Sequence, residues 1–166
     1  MLVDVSKAAV DCSKVIVDPL LGTKSLEKVS LRMSNAVPLD ENDLYILFKE
    51  FEDVFLFEKD TNKELWRVSM QGEAQCGIIG LVEEWALAGG ELLIVWRDDE
   101  PQILDDPELR WIHDLRQVGD YEVEILIDPW SSQSAIWRLD IKSLSKSKMR
   151  DFKDYEDKEY TEKVIW

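Results

Sequence analysis

Apolar and polar positions alternate in short runs along most of the chain, and the densest apolar run is Ala86–Arg97, A-L-A-G-G-E-L-L-I-V-W-R. Two apolar segments meet there at Gly89-Gly90, which accept the positive φ angles of a tight turn, so the stretch predicts a β-hairpin. Leu92–Trp96 is too short and too uniformly apolar for anything but a strand covered on both faces, the centre of a sheet. Gly77–Leu87 reads as its partner strand, with Ile79, Leu81 and Trp85 on one face and Ile78, Val82 and Ala86 on the other.

Leu44–Phe48, Val54–Phe57 and Leu65–Met70 follow one another as a meander, the last with Trp66, Val68 and Met70 on one face. Asp60 and Asn62 between the second and third runs form side-chain turns and tolerate the left-handed region, so those two runs should pair. Pro38 and the acidic Asp40–Asp43 predict a loop. Lys14–Val17 and Lys28–Met33 read as strands around a turn at Pro19–Ser25, and Val3–Ala9 suits a strand or a short helix. Tyr121–Asp128 and Ala135–Ile141 alternate strongly and are joined by a loop, Pro129–Gln133.

Asp106-Pro107 carries the marks of a helix start, with an N-capping carboxylate, proline at the first helical position and Glu108 near the positive end of the dipole. Leu109, Ile112 and Leu115 share a helical face, so a helix is predicted over 107–118, stopped by Gly119. Met149, Phe152 and Tyr155 at three-residue spacing predict a second helix, and Val164 and Trp166 predict that the end of the sequence docks, as a last edge strand. The expected fold is mainly β (α+β): an antiparallel sheet of hairpins and meander, curved or sandwich-like, with one or two peripheral helices. It should comprise an acidic β body, 1–142, and a charge-balanced helical or edge segment of the same domain, 143–166.

One stretch, Phe55–Arg67, F-L-F-E-K-D-T-N-K-E-L-W-R, resembles the repeat hairpin of quinoprotein-type β-propellers. Asn62 stands where that hairpin usually has glycine, and the motif does not recur, whereas a propeller needs several blades of roughly 40 residues. The stretch therefore predicts a hairpin alone.

With 166 residues, 45% of them apolar, the chain can bury one substantial core. The net charge of −15, from 35 acids against 20 bases, disfavours nucleic acid and anionic membranes as partners. Ser143–Trp166 holds six bases and six acids, so residues 1–142 carry the whole excess. Cys12 and Cys76 are isolated in apolar surroundings and read as small core residues in a reducing compartment. The N-terminus has no secretory pattern, and no apolar run approaches the roughly 20 residues of a membrane span. A cytoplasmic location is expected.

Candidate chemistry is sparse. His113, the single histidine, reads as a solvated side chain. Asp60–Glu64 matches the start of a calcium loop but has Leu65 where such a loop needs glycine. Gly89-Gly90 lies between strands, so it lacks the helix dipole of a phosphate cradle. Neither cysteine sits in a nucleophile motif. No enzyme, cofactor or metal is expected. Trp66, Trp85, Trp96 and Trp137 read as core. Trp130, in a Pro/Ser loop, and Trp111, beside the predicted helix stripe, are the candidates for partner contact.

Small size, strong acidity, abundant tryptophan and the run D-D-E-P-Q-I-L-D-D-P-E after I-V-W-R resemble bacterial immunity proteins of polymorphic and contact-dependent growth inhibition toxins. That resemblance implies a specific partner: a basic toxin, such as a nuclease, bound and neutralised in the cytosol. The expected partner surface is Asp98, Asp99, Glu100, Asp105, Asp106, Glu108, Trp111 and Trp130, with acids steering association and aromatic anchors slowing dissociation. The alternative is a small-molecule or carbohydrate-binding β domain that stacks its ligand on Trp130 and Trp137.

Overall fold

Three four-stranded antiparallel meanders make up residues 35–166, the part of the chain that the computed structural model describes. Sheet A comprises β1 (Val37–Glu41), β2 (Tyr45–Glu50), β3 (Asp53–Glu58) and β4 (Lys63–Ser69). Sheet B comprises β5 (Cys76–Ile79), β6 (Trp85–Gly89), β7 (Leu93–Arg97) and β8 (Glu100–Leu104). Sheet C comprises β9 (Ile112–Gly119), β10 (Glu122–Ile127), β11 (Ala135–Asp140) and β12 (Lys146–Asp151). The readings at Val3–Ala9, Cys12, Lys14–Val17, Pro19–Ser25 and Lys28–Met33 lie outside the described residues.

Within each sheet the spatial order is the chain order. The first strands start at Val37, Cys76 and Ile112, intervals of 39 and 36 residues. Repeated four-stranded meanders at that period are the construction of β-propeller blades, and the three sheets here do not close a ring. Phe55–Arg67 does pair as a hairpin, β3 with β4. Its geometry recurs where the sequence showed no repeat: β7–β8 and β11–β12 are the equivalent hairpins, with turns of two and five residues against four in β3–β4.

Sheet B is the middle layer, and its two-residue alternation shows why its central strand is apolar throughout. Ala86, Ala88, Ile94 and Trp96 pack with Leu47, Val54, Leu56 and Trp66 of sheet A. Trp85, Leu87, Leu93 and Val95 pack with Ile112, Leu115, Val123, Ile125 and Leu139 of sheet C. Each fully buried Leu or Ile of these layers contributes roughly 1.5–3 kcal/mol. The glycines set the spacing between sheets. A Cβ at Gly77 would lie 2.8 Å from Leu39 Cβ and Leu47 Cδ2 of sheet A, and one at Gly89 would lie 2.5 Å from Ile112 Cγ2 of sheet C.

Several expectations are corrected. No α-helix spans 107–118. The start signals are real, since Asp106 Oδ1 accepts from Glu108 N at 2.9 Å, but they produce one 3-10 turn, Pro107–Leu109. The chain then bends at Trp111 and enters β9. A β-bulge at His113 gives a strand this helix-like spacing: Ile112 pairs with Ile127 and Asp114 with Leu126, so Ile112 and Leu115, three apart, face the same core. The Met149–Tyr155 spacing likewise belongs to the end of β12 and a turn, not to a helix. Gly77–Leu87 is two strands with a turn over Gly80–Glu84, leaving Leu81 82% exposed. Gly89 and Gly90 do not adopt positive φ. They provide space, because a Cβ at Gly90 would lie 2.7 Å from the Glu73 carbonyl oxygen. The loop expected at Pro38–Asp43 is largely β1, an edge strand bulged between Pro38 and Asp40.

Candidate functional site

Two turn regions share the acidic residues singled out in the sequence, and β8 holds them apart. Asp98-Asp99 joins β7 to β8 with Arg97 paired to Glu100 and φ values of 51° and 61°, the two-residue I′ geometry that twisted strands favour. Asp105, Asp106 and Glu108 follow the far end of β8, a strand ~17 Å long at about 3.4 Å per residue. The contiguous acidic run is therefore two sites.

At the first, turns from different sheets converge. Glu84, Asp98, Tyr121 and Lys142, from the β5–β6, β7–β8, β9–β10 and β11–β12 turns, line a cleft of about 250 Å³ floored by Trp85 and Ile141. Tyr121 Oη donates to Glu84 Oε2, and Lys142 Nζ lies 3.8 Å from the Tyr121 ring centroid. Arg97 Nη1 is directed into the β11–β12 turn, donating to the Ile141 carbonyl at 2.8 Å and to the Lys142 carbonyl. Sheet A contributes too: burial, then the nearby Glu58, Glu83 and Asp99 carboxylates, raise the Tyr45 phenol above its ordinary value. Glu83, Asp99 and Asp120 make no ion pair among the described residues. Asp98, its side chain 90% exposed, has among the described residues only a 3.9 Å ion contact, with Arg97. Exposed Leu81 stands in the same turn as Glu83 and Glu84.

This turn rim is built on a close approach. A Cβ at Gly80 would lie 2.3 Å from Trp85 Cε2, so only glycine lets the β5–β6 turn close over the buried indole. The indole N–H in turn donates to the Asp120 carbonyl at 2.9 Å, tying the β9–β10 turn to the rim. Glu58, Glu83, Glu84, Asp120 and Leu81 were not singled out in the sequence, because they come from three separate places along the chain, the end of β3, the β5–β6 turn and the β9–β10 turn.

The second acidic group is neutralised internally. Asp105 pairs with Arg110 at 2.5 Å. Lys146 Nζ donates to both Asp106 carboxylate oxygens at 2.6 Å and pairs with Glu108 at 2.8 Å. Burial works to raise the Asp106 carboxyl, but bonds from Lys146 and the Glu108 amide outweigh it and leave Asp106 below its ordinary value. Trp111, 62% exposed, has φ 58°, a left-handed conformation rare for a bulky side chain. Its carbonyl accepts from Asp128 N at 2.9 Å.

Trp130 is half-buried in an aromatic cluster, its ring centroid 5.3 Å from His113, 6.1 Å from Tyr155 and 4.8 Å from Tyr160. Burial lowers the His113 imidazole against the opposing pull of Asp114 and Asp128, so this ring is less solvated than expected. Trp66, Trp85 and Trp96 are buried as expected. Trp137 is partly buried with Lys146 Nζ 4.8 Å from its ring. Desolvation raises the Cys76 thiol far above its ordinary value, the opposite of what a nucleophile requires. Among the described residues no group of three His, Cys, Asp or Glu side chains is placed to hold a metal, and no helix is long and apolar enough to cross a membrane.

No family model and no curated protein matches the chain. Among solved structures, hydrazine synthase of Kuenenia stuttgartiensis is similar at TM-score 0.50 and 9% identity, over 66% of this chain and 36% of that one. The WD40 β-propeller domain of Doa1 aligns at TM-score 0.48 and 9% identity, over 64% of this chain and 36% of that one. The chain thus spans little more than a third of either solved chain, and at these identities the similarity concerns the β fold alone.

Proposed function

We propose that this chain is a protein-binding module whose turn rim captures a basic partner. Carboxylates from the ends of strands in three sheets gather there in excess of Arg97 and Lys142, with Glu83, Asp99 and Asp120 making no ion pair among the described residues and Leu81 exposed in one of the turns, and that observation carries the reading. Such a surface steers an oppositely charged protein and then gives it an apolar contact. Asp98, Asp99 and Glu100 belong to this surface, joined by Glu58, Glu83, Glu84 and Asp120. Asp105, Asp106, Glu108 and Trp130 are engaged within the chain, and Trp111 projects separately. In its finer form the proposal is a cytoplasmic immunity protein that neutralises a basic toxin, such as a nuclease whose own cleft is positive. The acidity of the chain and its resemblance in character to such proteins support that form. The carbohydrate-binding alternative rests on Trp130 and Trp137, whose rings lie against Tyr160 and Lys146.

The test is calorimetric titration with the protein encoded immediately upstream, at low and high salt, using the unmodified chain and the variant D98K/D99K/E84K. Stoichiometric binding that weakens with salt, falls at least about tenfold in the variant and suppresses the partner's activity is expected. A folded variant that binds as tightly as the unmodified chain overturns the surface assignment.

A further inference from the structure

The outer face of sheet C, turned away from sheet B, is covered by the chain's closing segment. Leu126 and Ile136 of that face form a small core with Phe152, Tyr155, Val164 and Trp166. No strand pairing links residues 159–166 to the sheet. Side chains hold them instead, and the arrangement around Trp166 is specific. Its indole N–H donates to Asp114 Oδ2 at 2.9 Å, and the Arg116 guanidinium lies 4.2 Å from the ring centroid. Arg116 Nη1 also donates to the Trp166 backbone oxygen at 2.6 Å. Ile165 N donates to Tyr155 Oη at 3.0 Å.

The receptor half of this contact is also braced by bonds to residues outside the tail. Glu124, 9% exposed, accepts from Arg116 Nη2 at 2.5 Å and from Arg138 Nη2 at 2.7 Å. Those bonds fix the guanidinium that covers the indole, and the charge-assisted pair holds the Glu124 carboxyl below its ordinary value. Asp114 projects from β9, two residues before Arg116, so both ligating side chains stand on one face of a rigid strand.

We infer that Asp114, Arg116 and Glu124 form a binding site for an extended peptide bearing tryptophan, and that the chain's own Lys163–Trp166 stretch is its ligand, held in cis as a releasable latch. The site reads three chemical features of that ligand: an indole N–H, an aromatic face and the backbone oxygen of the same residue. Because the latch lacks a strand ladder, it opens without unfolding sheet C. The opened site accepts the same stretch from a second copy of the chain, the one source whose complementarity the geometry already displays. This inference is independent of the turn rim and stands or falls without it.

The test uses the full chain carrying Trp166→Ala, with folding checked by circular dichroism, and a synthetic peptide of residues 157–166 as the probe. The variant should bind the peptide one to one. The unmodified chain should bind it at least about tenfold more weakly, since a tethered ligand competes at an effective concentration in the millimolar range. Adding Arg116→Ala to the variant, or replacing tryptophan by alanine in the peptide, should abolish binding. A folded W166A chain that takes up the peptide no better than the unmodified chain overturns the inference. Should W166A fail to fold, hydrogen exchange of the Trp166 indole N–H in the unmodified chain decides. Exchange faster than that of the β10 amides supports a latch, and exchange only with global unfolding overturns it.

Discussion

Asp98-Asp99 and Asp105-Asp106 are near-identical acidic pairs at opposite ends of one five-residue strand, yet the fold puts them to different uses. The first pair sits in a tight turn whose one ion contact among the described residues is a distant arginine, beside carboxylates from other elements. The second is matched by Arg110 and by Lys146, which reaches it from sheet C. An acidic run is therefore not a surface until the cations around it are known. A paired carboxylate contributes to the fold, whereas a cluster of unpaired ones opposes it by mutual repulsion and persists more readily where it serves an outside partner.

Substitutions at the two acidic pairs and the turns around them should have unequal effects. The largest expected effect is at Gly80, where alanine would drive a Cβ into the buried Trp85 ring. Gly80→Ala should cost about 2–3 kcal/mol, read from the urea midpoint, and should loosen the rim turns. A neutral outcome would show that packing does not set the rim.

Next is Lys146→Ala, which strips Asp106 and Glu108 of their cation and uncovers Trp137. A loss of about 1 kcal/mol is expected for these partly exposed pairs. Asp98→Asn in the rim should stay within about 0.5 kcal/mol. Equal effects at the two places would erase the distinction between paired and unpaired acids.

Acid should probe the paired class. Asp106 and Glu124 both titrate below their ordinary values in the folded chain, Asp106 through Lys146 against burial and Glu124 through Arg116 and Arg138. Their contribution is thus fully present above the unfolded-state values near about pH 4 and is lost as pH falls through the lower folded values. An Asp106→Asn/Glu124→Gln chain should show a shallower loss of stability over that acidic range. An unchanged slope would count against the pairing.

The smaller effects belong to the rim. Asp99 has φ 61°, so Asp99→Gly should stabilise the I′ turn by about 0.5 kcal/mol while removing a rim charge. A more stable chain that binds its partner less tightly would separate folding from function at one residue. The same substitution should lower the Tyr45 phenol pKa, followed by NMR titration, because Asp99 is one of the charges that raise it.

Much of the strand content was legible in the sequence. The β2–β4 meander, the β6–β7 hairpin and the β10–β11 pair follow from local alternation and turn residues, which act within a few positions. β1 and β8 were obscured because Pro38 and Pro101 sit on edge strands, where a missing donor is tolerated. The bulge at His113 made three-residue spacing look helical. Of the expected partner surface, Asp98, Asp99 and Glu100 remain together on one turn, while the rest divides among an ion-paired connection, an exposed strained tryptophan and an aromatic cluster under the closing segment.

Local order along the chain is enough to specify antiparallel strands around a doubly covered central one, since a two-residue period and an unbroken apolar run are written in consecutive residues. Only the tertiary structure decided that the strands form three successive blade-like sheets, because four-strand periodicity survives turns of different length and chemistry. It also decided which acids are paired among the described residues, because the one cation that silences Asp106 and Glu108, Lys146, comes from a strand some forty residues away. Electrostatic pairing is settled by distance in space, and spacing along the chain does not report it.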